Sequence, residues 1–280
     1  MKKINIWGLE IHGDSISEQE RNYLLQLPEE LPTVYWVWQE MDRVWHSYNM
    51  DSKKPLSEQK TAEFYSHPVW LMNGIFTHLD PISSGHRHAI AEYLKQLNAK
   101  QIADYGGGFG EMALTLRKVI ADSDVTVVEP FPSTYGLDRL KLDSNVRVQP
   151  DLPENIFDAV IAQDVLEHVE DPVLLAYKLS QSVKHGGVVI FANCFFPYIE
   201  CHLPSTFHLR HTFPWVMKDM GLKYKGVIKG AYHAQLFERT SDANLEAARK
   251  KEAFSRKIAP VLNNPVSTLV SKVKRRVLMR

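Results

Sequence analysis

Asp104-Tyr105-Gly106-Gly107-Gly108-Phe109-Gly110 separates a short apolar run, Gln101–Tyr105, from a helical pattern over residues 111–120 that carries Met112, Leu114, Leu116 and Val119. A glycine-rich turn between a strand and a helix lets backbone N–H groups approach a ligand closely, because only glycine combines tight dihedrals with no side-chain bulk. Dinucleotide enzymes use such a turn as well. Their G-x-G-x-x-G/A fingerprint, started at Gly106 and Gly108, needs a small residue at position 111, where Glu111 stands. The pattern that remains is an acidic residue, Asp104, followed by G-x-G-x-G.

Around this turn the hydrophobic pattern alternates between strand and helix. Residues 85–97 predict a helix with Ile90, Leu94 and Leu97 on one face. The run Val125-Thr126-Val127-Val128 predicts a buried parallel strand over 124–129. Further strands are expected at 146–148, 157–162 and 188–192. A helix is expected at 172–183, stopped by His185-Gly186-Gly187. A helix at 213–220 and strands at 222–228 and 232–238 close the pattern. The fold class this predicts is α/β: a Rossmann-like, doubly wound, mostly parallel seven-stranded sheet with helices on both faces. The expected organisation is a mainly helical N-terminal cap over 1–85, a cofactor-binding domain over 86–240 and a basic helical tail over 241–280.

At these residues the chain resembles the class I S-adenosylmethionine-dependent methyltransferases, in particular the small-molecule group with an "LEHV" sequence after its fourth strand. Four blocks carry the resemblance: 104–110; 125–129; 157–169, ending in Gln163-Asp164-Val165-Leu166-Glu167-His168-Val169; and 183–187. Together they span about residues 86–240. The resemblance implies S-adenosylmethionine as the cofactor, held by the turn residues Asp104, Tyr105, Gly106, Gly108 and Gly110. Asp104 would act through the turn on the methionine amino group. Glu129, with Pro130 after it, closes the second strand 19 residues beyond Gly110, where a carboxylate can accept both ribose hydroxyls. Asp151 and Leu152 fall where the family contacts adenine, and Gln163 and Asp164 face the methionine half and the transferable methyl. Phe109 and Phe131 pack around the cofactor or belong to the core.

Methyl transfer to a hydroxyl needs a base near neutral pH, and histidine is the obvious group among twelve. His168 follows the fourth strand. His202, His208 and His211 follow the fifth, at the rim where open α/β sheets bind ligands. His168, His208 and His211 are the candidate catalytic residues. The H-x5-H-x2-H spacing with Cys201 matches no standard zinc pattern, so no metal is expected. Arg210 suits either a carboxylate or phosphate clamp or an exposed charge. The cap is rich in tryptophan, with Trp38, Met41, Trp45 and Tyr48 at helical spacing and His67, Trp70 and Asn73 as pocket-lid candidates.

The 280 residues carry 33 Lys+Arg and 33 Asp+Glu, and this balance argues against a nucleic-acid partner. Cys194 and Cys201 are the only cysteines, sparse usage that suits free thiols in a reducing compartment. No apolar run reaches the roughly 18 residues of a membrane span, and the N-terminus lacks an apolar signal region. A cytoplasmic location is expected. From 244 to 280 there are ten Lys/Arg against two Glu. There Val266, Leu269, Val270, Val273 and Val277 form an apolar stripe. It fits a helix on its own domain, or a protein contact or anionic inner-membrane surface. The expected acceptor is a hydroxyl of a small molecule or sugar, including a surface glycan or its precursor. An N-methyltransferase on a small amine, a nicotinamide-dependent oxidoreductase and a non-catalytic cofactor-binding protein are the alternatives.

Overall fold

The computed structural model describes residues 3–263. It begins with a hairpin, β1 (Lys3–Ile6) and β2 (Leu9–His12), closed by Trp7 and Gly8, both in the left-handed region. Helices α1 (Glu18–Leu24), α2 (Val34–Ser47), α3 (Glu58–Tyr65) and α4 (Pro68–Leu79) follow. Ser17 and Glu20 make a capping box at the start of α1. On α2 the buried stripe is Val37, Met41, Val44 and Trp45, so Trp38 of the expected stripe turns away and stacks on Tyr198 at 5.6 Å. Asp80 ends α4 and caps α5 (Pro81–Gln96) through the backbone N–H of Ser83. The helix expected from residue 85 therefore starts one turn earlier.

The main sheet then alternates with helices: β3 (Gln101–Tyr105), α6 (Glu111–Val119), β4 (Asp124–Val128), α7 (Thr134–Leu140), β5 (Val146–Gln149), β6 (Phe157–Gln163), α8 (Pro172–Ser182) and β7 (Val183–Ala192). After α9 (Phe213–Met217) come β8 (Leu222–Ile228), β9 (Ala231–Arg239) and α10 (Leu245–Leu262). The seven strands lie in the order β5-β4-β3-β6-β7-β9-β8, with β9 alone antiparallel to its neighbours. The chain runs outward from β3 to β5 and returns at β6, so the topological switch lies between the ends of β3 and β6. Ligands bind at such a crevice.

One face of the sheet buries Ile90 and Leu94 of α5 with Met112 and Leu116 of α6. The other buries Val173 and Leu179 of α8 with Phe213 and Met217 of α9. Burying each such side chain stabilises the fold by roughly 1.5–3 kcal/mol. The cap has its own core around Trp45, Phe64 and Met72, and that core also takes in Phe109, Cys201 and Leu203. The cap thus packs directly on the glycine turn and on the segment after β7. A Cβ at Gly74 of α4 would lie 2.7 Å from the Phe109 ring, a closeness only glycine permits.

The glycines at 186 and 187 do not end α8. That helix stops at Ser182, and Val183 already pairs with Phe157 in β7. The glycines serve a bulge instead: Gly186 has φ +79°, and a Cβ on Gly187 would meet the Asp158 carbonyl at 2.8 Å. The first part of the basic tail is α10, which packs on its own domain. Arg249 pairs with Asp171, and Lys251 with Asp219 at 2.7 Å. The stripe at 266–277 lies outside the described residues. Among them no helix is long and apolar enough to cross a membrane.

Candidate active site

Asp104 sits one residue before the end of β3, 2 % exposed, beneath the glycine turn. The backbone N–H of Ala113 faces its carboxyl, and its Oδ2 has no hydrogen-bond partner. Burial, then the nearby Glu129 carboxylate, push its carboxyl up to about 7. Glu129 follows β4 and reaches over the turn. Its Oε2 accepts the Gly108 N–H at 2.6 Å and its Oε1 the Phe131 N–H at 2.9 Å. Two carboxylates therefore flank a turn with little opposing charge, only Arg87 acting weakly on Asp104. A ligand bringing an ammonium group to one and hydroxyl donors to the other fits them both.

The turn is open because its residues are glycines. A Cβ at Gly106, φ +73°, would lie 2.5 Å from Val165 Cγ2, and one at Gly110, φ +84°, would lie 2.7 Å from Leu140. Glu111, at the position where dinucleotide sites carry a small residue, is an ionic hub. It pairs with Arg139 of α7 and with His78 Nδ1 of α4 at 2.9 Å. Arg139 in turn lies over the Phe109 ring. Phe109 is thus a packing residue between cap and turn.

At the end of β6, Gln163 and Asp164 reach the crevice. Asp164 takes φ +53° and donates its N–H to the Ala192 carbonyl at the end of β7. Tyr105, at the end of β3, shares an apolar cluster with Leu152 and is influenced by the charges of Asp151 and Glu129. Asp151 is exposed and accepts the Leu152 N–H. Pro130 lies beside Phe131, whose ring stacks on Tyr65 of α3 at 5.5 Å. Tyr65 stacks in turn on Trp70 of α4 at 4.9 Å. Burial pushes the Tyr65 hydroxyl well above its ordinary range, and Cys201, Glu167 and Glu129 push it further. Tyr65 therefore lies between Glu129 and Glu167, as part of an aromatic wall supplied by the cap.

Behind that wall lies a histidine pair. His168 and His202 rings meet edge to face at 4.8 Å. His168 Nδ1 lies 3.1 Å from the Cys201 carbonyl, and His202 Nδ1 lies 2.7 Å from the Phe196 carbonyl. A carbonyl only accepts, so both Nδ1 atoms carry the proton and both Nε2 atoms present a lone pair. Burial, then the neighbouring His202, hold His168 down at about 3. Glu167 is fully buried; its Oε1 accepts the Cys194 N–H at 2.6 Å while Oε2 lacks a partner. Burial, then the Asp164 charge, push its carboxyl well up. Ligand-type atoms of Glu167, His168 and His202 lie within 4.8 Å of one another, a donor set of the kind that holds zinc-class cations.

The other expected catalytic histidines are not part of this pair. The His208 ring donates from Nδ1 to the Ser205 carbonyl at 2.8 Å and turns Nε2 to Glu252 of α10 at 3.5 Å. It sits against α10, with Nε2 facing the Glu252 carboxylate but making no hydrogen bond. His211 is exposed. His67 caps α4 by accepting the Val69 N–H at 3.0 Å, so it is a structural residue. Asn73 is half-buried on α4. Cys201 is a free thiol, and burial pushes it well up, out of thiolate chemistry. Tyr65 and His202 are the residues missing from the expected set.

The family model of a methyltransferase domain matches residues 83–223, half of the chain and all of the geometry from α5 to the histidine pair. The chain belongs to that family. It is an S-adenosylmethionine-dependent methyltransferase. This methyltransferase is similar to the ubiquinone biosynthesis O-methyltransferase of Pectobacterium atrosepticum, at 26% identity over 209 residues, covering 69% of this chain and 80% of that protein. It is also similar to the enzyme of the same name from Yersinia pestis, at 27% identity over 201 residues, covering 67% and 76%. A solved structure from Nostoc punctiforme, described as an O-methyltransferase, has a TM-score of 0.52 at 12% identity, covering 76% of this chain and 73% of that one. At that identity the likeness is one of fold.

Proposed function

We propose that this methyltransferase moves the methyl group of S-adenosylmethionine to a hydroxyl of a small molecule, with His168 taking the hydroxyl proton. The observation that carries the reading is the Nε2 lone pair of His168, its tautomer set by the Cys201 carbonyl, in a crevice beside the end of β6. When bound, S-adenosylmethionine supplies an electrophilic methyl carbon on a positively charged sulfur. Asp104 would receive the methionine ammonium, with the unpartnered Oδ2 as acceptor, and Glu129 the ribose hydroxyls. Gly106, Gly108 and Gly110 let the backbone approach. Tyr105, Pro130, Asp151, Leu152, Gln163 and Asp164 would line the rest of the cofactor crevice.

A hydroxyl gives up one proton for each methyl it accepts. His168 is a weak base at rest, because burial opposes its charge. Proton transfer becomes favourable as the acceptor oxygen shares its lone pair with the methyl carbon, because the O–H grows acidic while the C–S bond breaks. Positioning of that oxygen by the Tyr65–Trp70 wall supplies the rest of the rate. The two relatives whose names specify O-methylation support an oxygen acceptor. A sugar or surface-glycan acceptor drew on the basic tail, whose stripe lies outside the described residues, so the proposal is confined to a hydroxyl. Incubating the enzyme with S-adenosylmethionine and paired phenol and aniline acceptors tests this. Mass-spectrometric fragmentation should place the added methyl on oxygen; methylation confined to nitrogen would remove the base from the account.

A further inference from the structure

We propose that Arg210 receives an anionic oxyacid group, a carboxylate or a phosphate ester, carried by the methyl acceptor. This rests on the reading of the same crevice as the site of methyl transfer to a small molecule. Arg210 follows the helical turn Pro204–Leu209, in the segment that leaves β7. Its Cζ lies 4.5 Å from the centroid of the Phe196 ring, over the ring face. A guanidinium held on an aromatic face keeps its in-plane N–H fork for another partner.

No carboxylate among the described residues pairs with it. Four guanidinium groups of the domain that are buried or half-buried are paired: Arg87 and Arg139 with Glu111, Arg117 with Asp143, and Arg249 with Asp171. Burial holds Arg210 below its ordinary range, with Cys194 the neighbour acting the other way. A partly desolvated cation without a counter-ion is unfavourable, and an incoming carboxylate or phosphate relieves it with bidentate hydrogen bonds.

The position ties this cation to the reaction site. The carbonyl of Phe196, its aromatic platform, holds His202 Nδ1. The N–H of Cys194, its neighbour, is held by Glu167. Arg210 is thus one residue removed from both members of the buried cluster beside His168. The same segment opens with Asn193, whose amide oxygen and nitrogen are both buried without a partner. A cation without a carboxylate partner and an unsatisfied neutral amide therefore both belong to the segment that leaves β7.

The probes are benzoate, inorganic phosphate and neutral benzamide, titrated into the full chain saturated with S-adenosylhomocysteine. The readout is the Arg210 Nε–H resonance, assigned by its loss in Arg210→Gln. A saturable shift with benzoate alone identifies a carboxylate, and one with phosphate alone a phosphate ester; benzamide should give none. Arg210→Gln should bind the effective anion at least tenfold more weakly by calorimetry, Arg210→Lys should recover part of that loss, and S-adenosylhomocysteine affinity should stay within twofold. Absence of a shift with either anion, or equal anion binding by Arg210→Gln, overturns the proposal. Failure to bind S-adenosylhomocysteine at all would instead strike the cofactor reading. A methyl found on nitrogen would strike the hydroxyl reading and leave the anion result standing.

Discussion

Asp104 is held where an ionised carboxylate is unfavourable, and the ligand that would compensate it is the cofactor. Its carboxyl is pushed up to about 7 in the folded protein, against an ordinary value of 3.8. A raised folded value means the stabilising contribution is full below about pH 3.8 and is lost as pH rises through 7. Asp104→Asn removes that loss and keeps an acceptor oxygen for the Ala113 N–H. Without ligand, the variant should melt at least ~2 °C above the parent at pH 8, with the margin shrinking toward pH 4. Its affinity for S-adenosylhomocysteine should fall at least tenfold. A variant less stable than the parent by the same margin at both pH values would contradict this. The residue was legible because a strand-ending acid before three glycines has few other uses. The surroundings of His208 were not legible, because its partner, Glu252, lies 44 residues later on α10, a distance no local spacing encodes. His202 went unchosen for the same reason: its place beside His168 depends on the loop after β7 folding back, with the Leu203 N–H on the Glu167 carbonyl.

At the scale of elements, the sheet was readable and the cap was not. Buried parallel strands announce themselves as β-branched runs such as Val125–Val128, and the glycine turn fixes where the first helix begins. The cap carries its aromatics on several helices facing different partners, so a single stripe could not separate Trp45, in the cap core, from Trp38, against Tyr198. Tyr65 ends a short, polar helix and gives no periodic signal, yet it stands between the two halves of the site. If α3 and α4 wall the acceptor side, Trp70→Ala should raise the KM for a phenolic acceptor about tenfold, a loss of ~1.4 kcal/mol of binding. S-adenosylhomocysteine affinity should stay within twofold by calorimetry. An affinity loss for S-adenosylhomocysteine equal to the KM change would place the wall over the cofactor instead.

For the whole molecule, two buried carboxylates, each with one oxygen lacking a partner, mark two halves of the crevice. Asp104 lies under the glycine turn, and Glu167 lies beside the histidine pair. The cap closes over both, and the loop after β7 joins them to α10 through His208. Under the proposed function one half binds the methyl donor and the other removes the proton, so the two should separate by mutation. The direct measurement is His168→Ala in the full chain, comparing S-adenosylhomocysteine affinity with turnover of a phenolic acceptor across pH 5–8. The account predicts unchanged affinity, a turnover loss of ~10²-fold or more, and a parent profile of kcat/KM without a step at the ordinary histidine value near 6.5, because His168 is held at about 3. Full turnover by His168→Ala with unchanged affinity would contradict it.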